Sequence, residues 1–350
     1  MVTMIAGAVV VVAAGGGLAY TRVAEPEPPS SLHGFHPMPL TAAQAARGGV
    51  GLPVQVADPG IARVGARWYF NWSARPHRGV HLDFVPLVCG YPGNRPVRAG
   101  QLKRVKATVL AHREDYPDGT LFLVGNEIGY KAQHDGRTPA QYVRDFHRCY
   151  ALVKSLNPTF QVSVGPAILS QDRRITRDQV GARDGLDYLA KAIAAYRAEY
   201  GQPIPAEYFA ATGHVIRADD ANFHAWQARL LDLRRILADA GLRDRRVMLT
   251  EFGVPLRGST YADIATFMDR AVRFAATATD DTVGCTADDG LLVQRWAWFA
   301  ARPLPLTKKL QATGFGAFVL QLSQTSLYDN RGRLTYLGRG YAELMGGRDH

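Results

Sequence analysis

Two short apolar runs in this chain each lead to a glutamate: Leu121-Phe122-Leu123-Val124-Gly125-Asn126-Glu127 and Arg246-Val247-Met248-Leu249-Thr250-Glu251. Such runs, rich in aliphatic and aromatic residues, read as short buried strands, so each glutamate stands at a strand's C-terminal end. Two carboxyl groups delivered in this way can divide acid and base work. One, kept protonated near neutral pH, donates to a leaving oxygen. The other, ionised, attacks carbon or activates water. That is the minimal apparatus for cleaving a glycosidic bond. Asn126, beside Glu127, is placed to hydrogen-bond a sugar hydroxyl. Trp68, Tyr69, Asn71 and Trp72 end one strand-like run, Tyr130 follows Glu127, and Trp296 and Trp298 end another run. These residues are the candidate sugar-binding surface, because flat apolar sugar faces stack on aromatic rings. Core packing is the plainer role for aromatics at alternating positions.

The pair needs a scaffold that brings distant strand ends together. The spacing predicts strands over 64–72, 82–88, 121–127, 161–164, 208–215, 246–252 and 291–299. It predicts helices over 101–116, 139–156, 185–200, 222–240, 261–278 and 340–345, with 318–323 ambiguous. Thr138 and Pro139 supply a cap and a first-turn proline, and Gly201 and Gly241 supply stops. Strands alternating with helices of this length form βαβ units around a parallel sheet. No G-x-G-x-x-G follows a strand and no P-loop occurs, which argues against a doubly wound sheet. The fold class is therefore α/β, a (β/α)8 TIM barrel. Its eighth strand is missing or irregular between Trp72 and Leu121, and one of Trp296 and Trp298 is expected to face the barrel interior.

With 350 residues and 47% hydrophobic composition, the chain can bury one large core. The net charge of +10 is spread among acids with no long run of like sign. It reads first as a solvated surface, and second as attraction to an anionic glycan or membrane surface. No nucleic-acid-binding signature appears. Cys89, Cys149 and Cys285 are odd in number and lack a C-x-x-C, so buried free thiols are expected. His77, His81 and Asp83 share a loop with too few ligands for a metal centre, and no metal is expected. No G-x-S-x-G elbow occurs. Residues 4–20 are uncharged and apolar, and a Pro-rich stretch follows at 25–29. They read as a secretory signal or a membrane anchor, which makes the protein secreted or membrane-anchored outside the cytoplasm. The expected organisation is a signal or anchor at 1–22, linker and lead-in at 23–60, and a catalytic domain at 61–350.

Asn-Glu at one strand end and Glu three strands later resembles the signature of the clan A retaining glycosidases. The blocks ARWYFNWS, DFVPLVCG, LFLVGNEIGY, VMLTEFG and VQRWAWF, with the closing SLYDNRGRLTYLGRGYAEL, are similar to the glycosyl hydrolase catalytic core group. That group includes the family 128 endo-β-1,3-glucanases. The resemblance spans roughly residues 64–345. It implies a (β/α)8 barrel with Glu127 on strand four as acid/base and Glu251 on strand seven as nucleophile. It further implies that Asn126 binds the 2-hydroxyl, that His214 lines the site, and that the substrate is an oligo- or polysaccharide such as β-glucan. A monomer without cofactor is expected. The chain departs from the pattern where Ile128 stands in place of proline and where aromatics are missing after His214. These departures motivate an alternative, a glycan-binding barrel at the cell surface without turnover.

Overall fold

The described residues of the computed structural model are 35–53, 59–90, 95–131, 135–170, 181–256, 258–304 and 314–347, with the backbone alone at 2–5, 8–11, 59 and 314–318. Among them, eight parallel strands close a ring. They are β1 (Gly48–Gly51), β2 (Trp68–Phe70), β3 in two pieces (Asp83–Phe84 and Leu87–Val88), β4 (Leu121–Val124), β5 (Gln161–Ile168), β6 (Tyr208–Thr212), β7 (Arg246–Phe252) and β8 (Arg295–Trp298). The ladder runs from one piece of β3 round the ring to the other piece. Asp83–Phe84 pairs with β2, and Leu87–Val88 pairs with β4. Pro86 has no N–H to donate, which parts the two pieces. The Val85 and Leu87 N–H groups still donate to Tyr69 and Ser73 carbonyls, so the ring stays joined there.

The strand that sequence periodicity does not reveal is β1, and it lies in the stretch read as lead-in. It pairs with β8 on one side and β2 on the other. Three of its four residues are glycine, which has poor strand propensity and no apolar side chain to count. The glycine at 49 answers to sterics: a Cβ there would come within 2.4 Å of the Trp68 indole, which lies across the strand. The barrel therefore begins further toward the N-terminus than residue 61, and β4 and β7 are the fourth and seventh strands. The irregular strand is β3, which the sequence does show.

Helices α1 (Ala99–Ala111), α2 (Pro139–Leu156), α3 (Gly185–Tyr200), α4 (Asp220–Asp239) and α5 (Tyr261–Thr277) follow β3 to β7 in turn. Helices α6 (Gly314–Ser323) and α7 (Tyr336–Leu344) follow β8, so the ambiguous stretch at 318–323 is the end of α6. Their starts are set by local chemistry. The side chains of Thr138, Asp184, Asp219 and Thr260 accept first-turn N–H groups, and Gly201 ends α3 at φ +68. Alternation along the strands makes two cores. Leu121 and Leu123 join Trp68, Phe70, Leu87, Ala210 and Met248 inside the barrel. Phe122 and Val124 pack outward beneath the helices.

Cys89 and Cys149 are joined as a disulfide, not free, while Cys285 is a buried thiol. The bridge ties the end of β3 to α2. Their sequence separation of 60 hid the pairing, since an odd cysteine count says nothing about which side chains the fold brings together. Val2–Ile5 and Ala8–Val11 pair with each other as an antiparallel ladder, separate from the barrel sheet. The rest of the predicted signal or anchor segment lies outside the described residues. Among those described, no helix is long and apolar enough to cross a membrane.

Candidate active site

Both glutamates stand at the C-terminal ends of their strands, on the same face of the ring. Glu127 lies three residues beyond β4 in a turn that begins at Gly125, whose φ is +99. Glu127 itself has φ +39, a left-handed backbone that costs a non-glycine residue about 1–3 kcal/mol and gathers at functional sites. Two hydrogen bonds hold the turn: Tyr130 N–H donates to the Glu127 carbonyl at 3.0 Å, and Ile128 N–H to the Pro166 carbonyl at 3.0 Å. The second explains the departure at Ile128. A proline there would forfeit this tie between the β4 turn and β5, and it would not supply the fully buried Ile128 side chain.

Glu251 lies within β7, opposite Thr212 of β6. Its Oε1 accepts the Trp72 indole N–H at 2.8 Å, and its Oε2 lies 3.4 Å from His214 Nε2. Both carboxyl groups are buried. Burial raises Glu127 well above the usual carboxylate range, and the charge of Glu251 raises it further. Burial raises Glu251 as well, while the Trp72 N–H draws it back. The two groups titrate as a pair. Of the two, Glu251 has the donor that stabilises the ionised form, whereas Glu127 Oε2 has no hydrogen-bond partner among the described residues. The proton of the singly ionised pair accordingly rests on Glu127. Burial lowers His214 to about 4, so it is neutral near pH 7.

A pH profile follows from these directions. In an acid/base role for the pair, deprotonation of Glu127 is expected to set the alkaline limb and protonation of Glu251 the acid limb. Both pKa values are raised, so the bell of kcat/KM is expected to be displaced upward from the ordinary carboxylate range near 4.5. In Glu127→Gln the alkaline limb should disappear. An alkaline limb that survives this substitution would remove Glu127 from the acid role.

Four buried polar atoms of this region have no hydrogen-bond partner among the described residues: Asn126 Oδ1 and Nδ2, Glu127 Oε2 and Thr212 Oγ1. Buried polar groups are rarely left so, and a hydroxyl-rich ligand would satisfy them. Thr212 was not singled out from sequence. The available signal was strand alternation, since Tyr208, Ala210, Thr212 and His214 share one face. Phe299 was also missed. Its ring meets His214 at 4.9 Å and Trp72 at 5.8 Å, both edge-on, beyond the end of β8.

Of the sequence-derived residues, the fold gathers Asn126, Glu127, Tyr130, His214, Glu251 and Trp72 at one mouth. Trp72 is there as a hydrogen-bond donor to Glu251 in a buried aromatic packing, not as an open stacking platform. The other aromatics are corrected. Trp68 belongs to the barrel interior, and its indole N–H donates to the Arg47 carbonyl. Tyr69, Trp296 and Trp298 point outward under the helices, so neither tryptophan of β8 faces the barrel interior. Residues two apart on a strand share a face, so Trp296 and Trp298 had to go the same way. Asn71 closes the turn after β2, donating to the Arg75 carbonyl and accepting from Ser73 N–H.

Behind Glu127 lies a buried polar cluster. The Tyr142 hydroxyl donates to the Val124 carbonyl at 2.8 Å and accepts Gly165 N–H at 2.9 Å, bridging the end of β4 to the middle of β5. Arg137 spans Asp135 and Asp145, and its guanidinium lies 5.0 Å from the Tyr142 ring centroid. Tyr142→Phe removes both bridging bonds and leaves the packing. It is expected to lower kcat on unactivated glycans about tenfold, to leave KM within about twofold, and to spare activated aryl glycosides. Equal losses on both substrate types would make the cluster merely structural.

No family model and no curated protein matches the chain. Solved structures do. A GH128 subgroup IV endo-β-1,3-glucanase from Lentinula edodes is 16% identical, with 85% of this chain and 99% of that one covered, at TM-score 0.58. A GH128 subgroup I endo-β-1,3-glucanase from Amycolatopsis mediterranei, solved with laminaritriose and laminaribiose, is 18% identical over 85% and 98%, at TM-score 0.54. A GH128 subgroup VII oligosaccharide-binding protein from Trichoderma gamsii is 13% identical over 86% and 93%, at TM-score 0.50. The fold is thus a (β/α)8 barrel. More narrowly, it is similar to the barrels of family 128.

Proposed function

We propose that this protein is a retaining glycoside hydrolase that cleaves a β-glucan-like chain, with Glu127 as acid/base and Glu251 as nucleophile. One observation carries the reading. The ends of β4 and β7 present two buried carboxyls close enough that the charge of one raises the other, and Glu251 is held by the Trp72 donor while Glu127 Oε2 has no partner among the described residues. That asymmetry is what double displacement needs. Glu127 donates its proton to the leaving oxygen while Glu251 attacks the anomeric carbon. Glu127 then takes a proton from the water that releases the glycosyl-enzyme. The Trp72 N–H keeps Glu251 ionised and aimed, and Asn126 offers both halves of its amide to the sugar. Similarity in fold to proteins described as endo-β-1,3-glucanases points to β-1,3-glucan as the first substrate to try.

Expression as a monomer outside the cytoplasm, through the apolar N-terminal segment, belongs to the same proposal. The Cys89–Cys149 bridge supports an oxidising compartment. A second reading, glycan binding without turnover, is favoured by the likeness to a protein described as oligosaccharide-binding. The absence of proline after Glu127 no longer favours it, because Ile128 does structural work that proline cannot. The deciding experiment follows laminarin and β-1,3-oligosaccharides by reducing-end release and by NMR of the newly formed anomer. Release of a β-anomer supports the proposal. First-formed α-anomer would mean inversion, and binding without release would install the second reading.

A further inference from the structure

We propose that the glycan this cleft takes is anionic, a β-glucan-like chain bearing carboxylate or comparable charges away from the cleaved bond. This rests on the reading of the cleft as a glycan site and names the class of its ligand. The observation is a separation of charge along the barrel axis. At the mouth, the loops after β2, β3, β4 and β6 each carry an exposed cation: Arg78, Arg95, Lys131 and Arg217. Arg217 lies near Asp219, which also caps α4, and the other three have no carboxylate partner among the described residues. Among the described residues, three further carboxylates of the mouth loops are engaged. Asp135 is held by Arg137, Asp184 caps α3 and meets Arg229, and Asp219 caps α4. In the turns at the opposite end of the barrel the balance reverses, with Glu114, Asp118, Glu207, Asp280 and Asp281 among acids that outnumber Lys and Arg there.

Two of the four cations are tied to the catalytic strands. Lys131 follows Glu127 by four residues. Arg217 follows His214 by three and crosses onto the loop after β7, where a Cβ on Gly258 would lie 3.2 Å from its Nε. Beside it, Ile216 is 42% exposed and offers an apolar face next to the charge. A sugar ring with a carboxylate substituent presents the same pair of surfaces. A wholly neutral glucan supplies no counter-charge to Arg78, Arg95 and Lys131, and gains nothing from a positive pole that raises the local concentration of anions.

The test compares carboxymethylated β-1,3-glucan with neutral laminarin, by equilibrium binding and by kcat/KM, from about 20 mM to about 500 mM salt. The carboxymethylated chain is expected to bind about tenfold tighter at low salt, with the gap closing as screening lengths fall below about 5 Å. Laminarihexaose should displace it, because both occupy the cleft. In the quadruple variant Arg78→Gln, Arg95→Gln, Lys131→Gln and Arg217→Gln, the ratio of the two affinities should fall to about one. Equal binding of both glucans by the unaltered protein overturns the proposal. So does an anionic preference that the variant keeps, or one that laminarihexaose cannot displace, which marks diffuse attraction to polyanions. If neither polymer is cleaved, the hydrolase reading fails, yet the binding ratio still decides this inference.

Discussion

Glu251→Gln is expected to abolish turnover while leaving the barrel folded. The loss in kcat should reach at least about 10⁴-fold, equivalent to about 5.4 kcal/mol of transition-state stabilisation. Gln retains the oxygen that accepts the Trp72 N–H but cannot form the glycosyl-enzyme. Stability should move the other way. A buried carboxyl whose folded pKa lies above its unfolded value binds its proton more tightly in the folded state. Its stabilising contribution is complete below pH 4.5 and is lost as pH rises through the folded value. The variant should therefore match the parent in Tm near pH 4 and exceed it by a few degrees near pH 8. A variant that unfolds at every pH would mean that the carboxyl is structural. One that still turns over would place the nucleophile elsewhere.

The second large effect is selective. Glu127→Ala should slow natural glycans by about 10³-fold, within the usual range for losing a general acid. Activated aryl β-glycosides, whose leaving groups need no protonation, should still form the glycosyl-enzyme at a rate near the parent's. That intermediate should then accumulate, because no base activates water. Azide needs no general base, so it should restore turnover of aryl substrates and yield the β-glycosyl azide. In Glu251→Ala, by contrast, azide enters the vacated nucleophile pocket and yields the α-azide. Exchange of these two products between the variants would reverse the roles of Glu127 and Glu251 while keeping the pair.

The pair of strand-end carboxyls was legible because its signal is local: an apolar run, then a carboxylate, in a rhythm of strands and helices. The strand count was nearly legible for the same reason, and it failed at Gly48–Gly51, where glycine erases periodicity. The aromatics misled for a different reason. Sequence gives Trp296 and Trp298 the same face but does not say which face. A strand covered on both sides is apolar throughout, so nothing marks the side that meets the helices. The donor role of Trp72 and the Cys89–Cys149 bridge were illegible altogether. Each joins residues far apart in the chain, through geometry that only the closed ring creates.

Closure of that ring has its own consequence for how the protein comes to be made. Strand β1, near the start of the barrel, is hydrogen-bonded to β8, near its end. During synthesis the first strand must wait, half-paired with β2, while nearly 250 further residues emerge. Glycine suits that wait. A strand with almost no side chains offers little apolar surface to aggregate on, yet it fits under the Trp68 indole when β8 arrives. Closing the ring requires the docking of β8 against β1. The Tyr341 hydroxyl of α7, which donates to the Gly49 carbonyl, fastens that seam from outside with a residue still later in the chain. The waiting time for the seam is set by the ribosome rather than by diffusion, and an incomplete chain stays an open sheet with two unpaired edges.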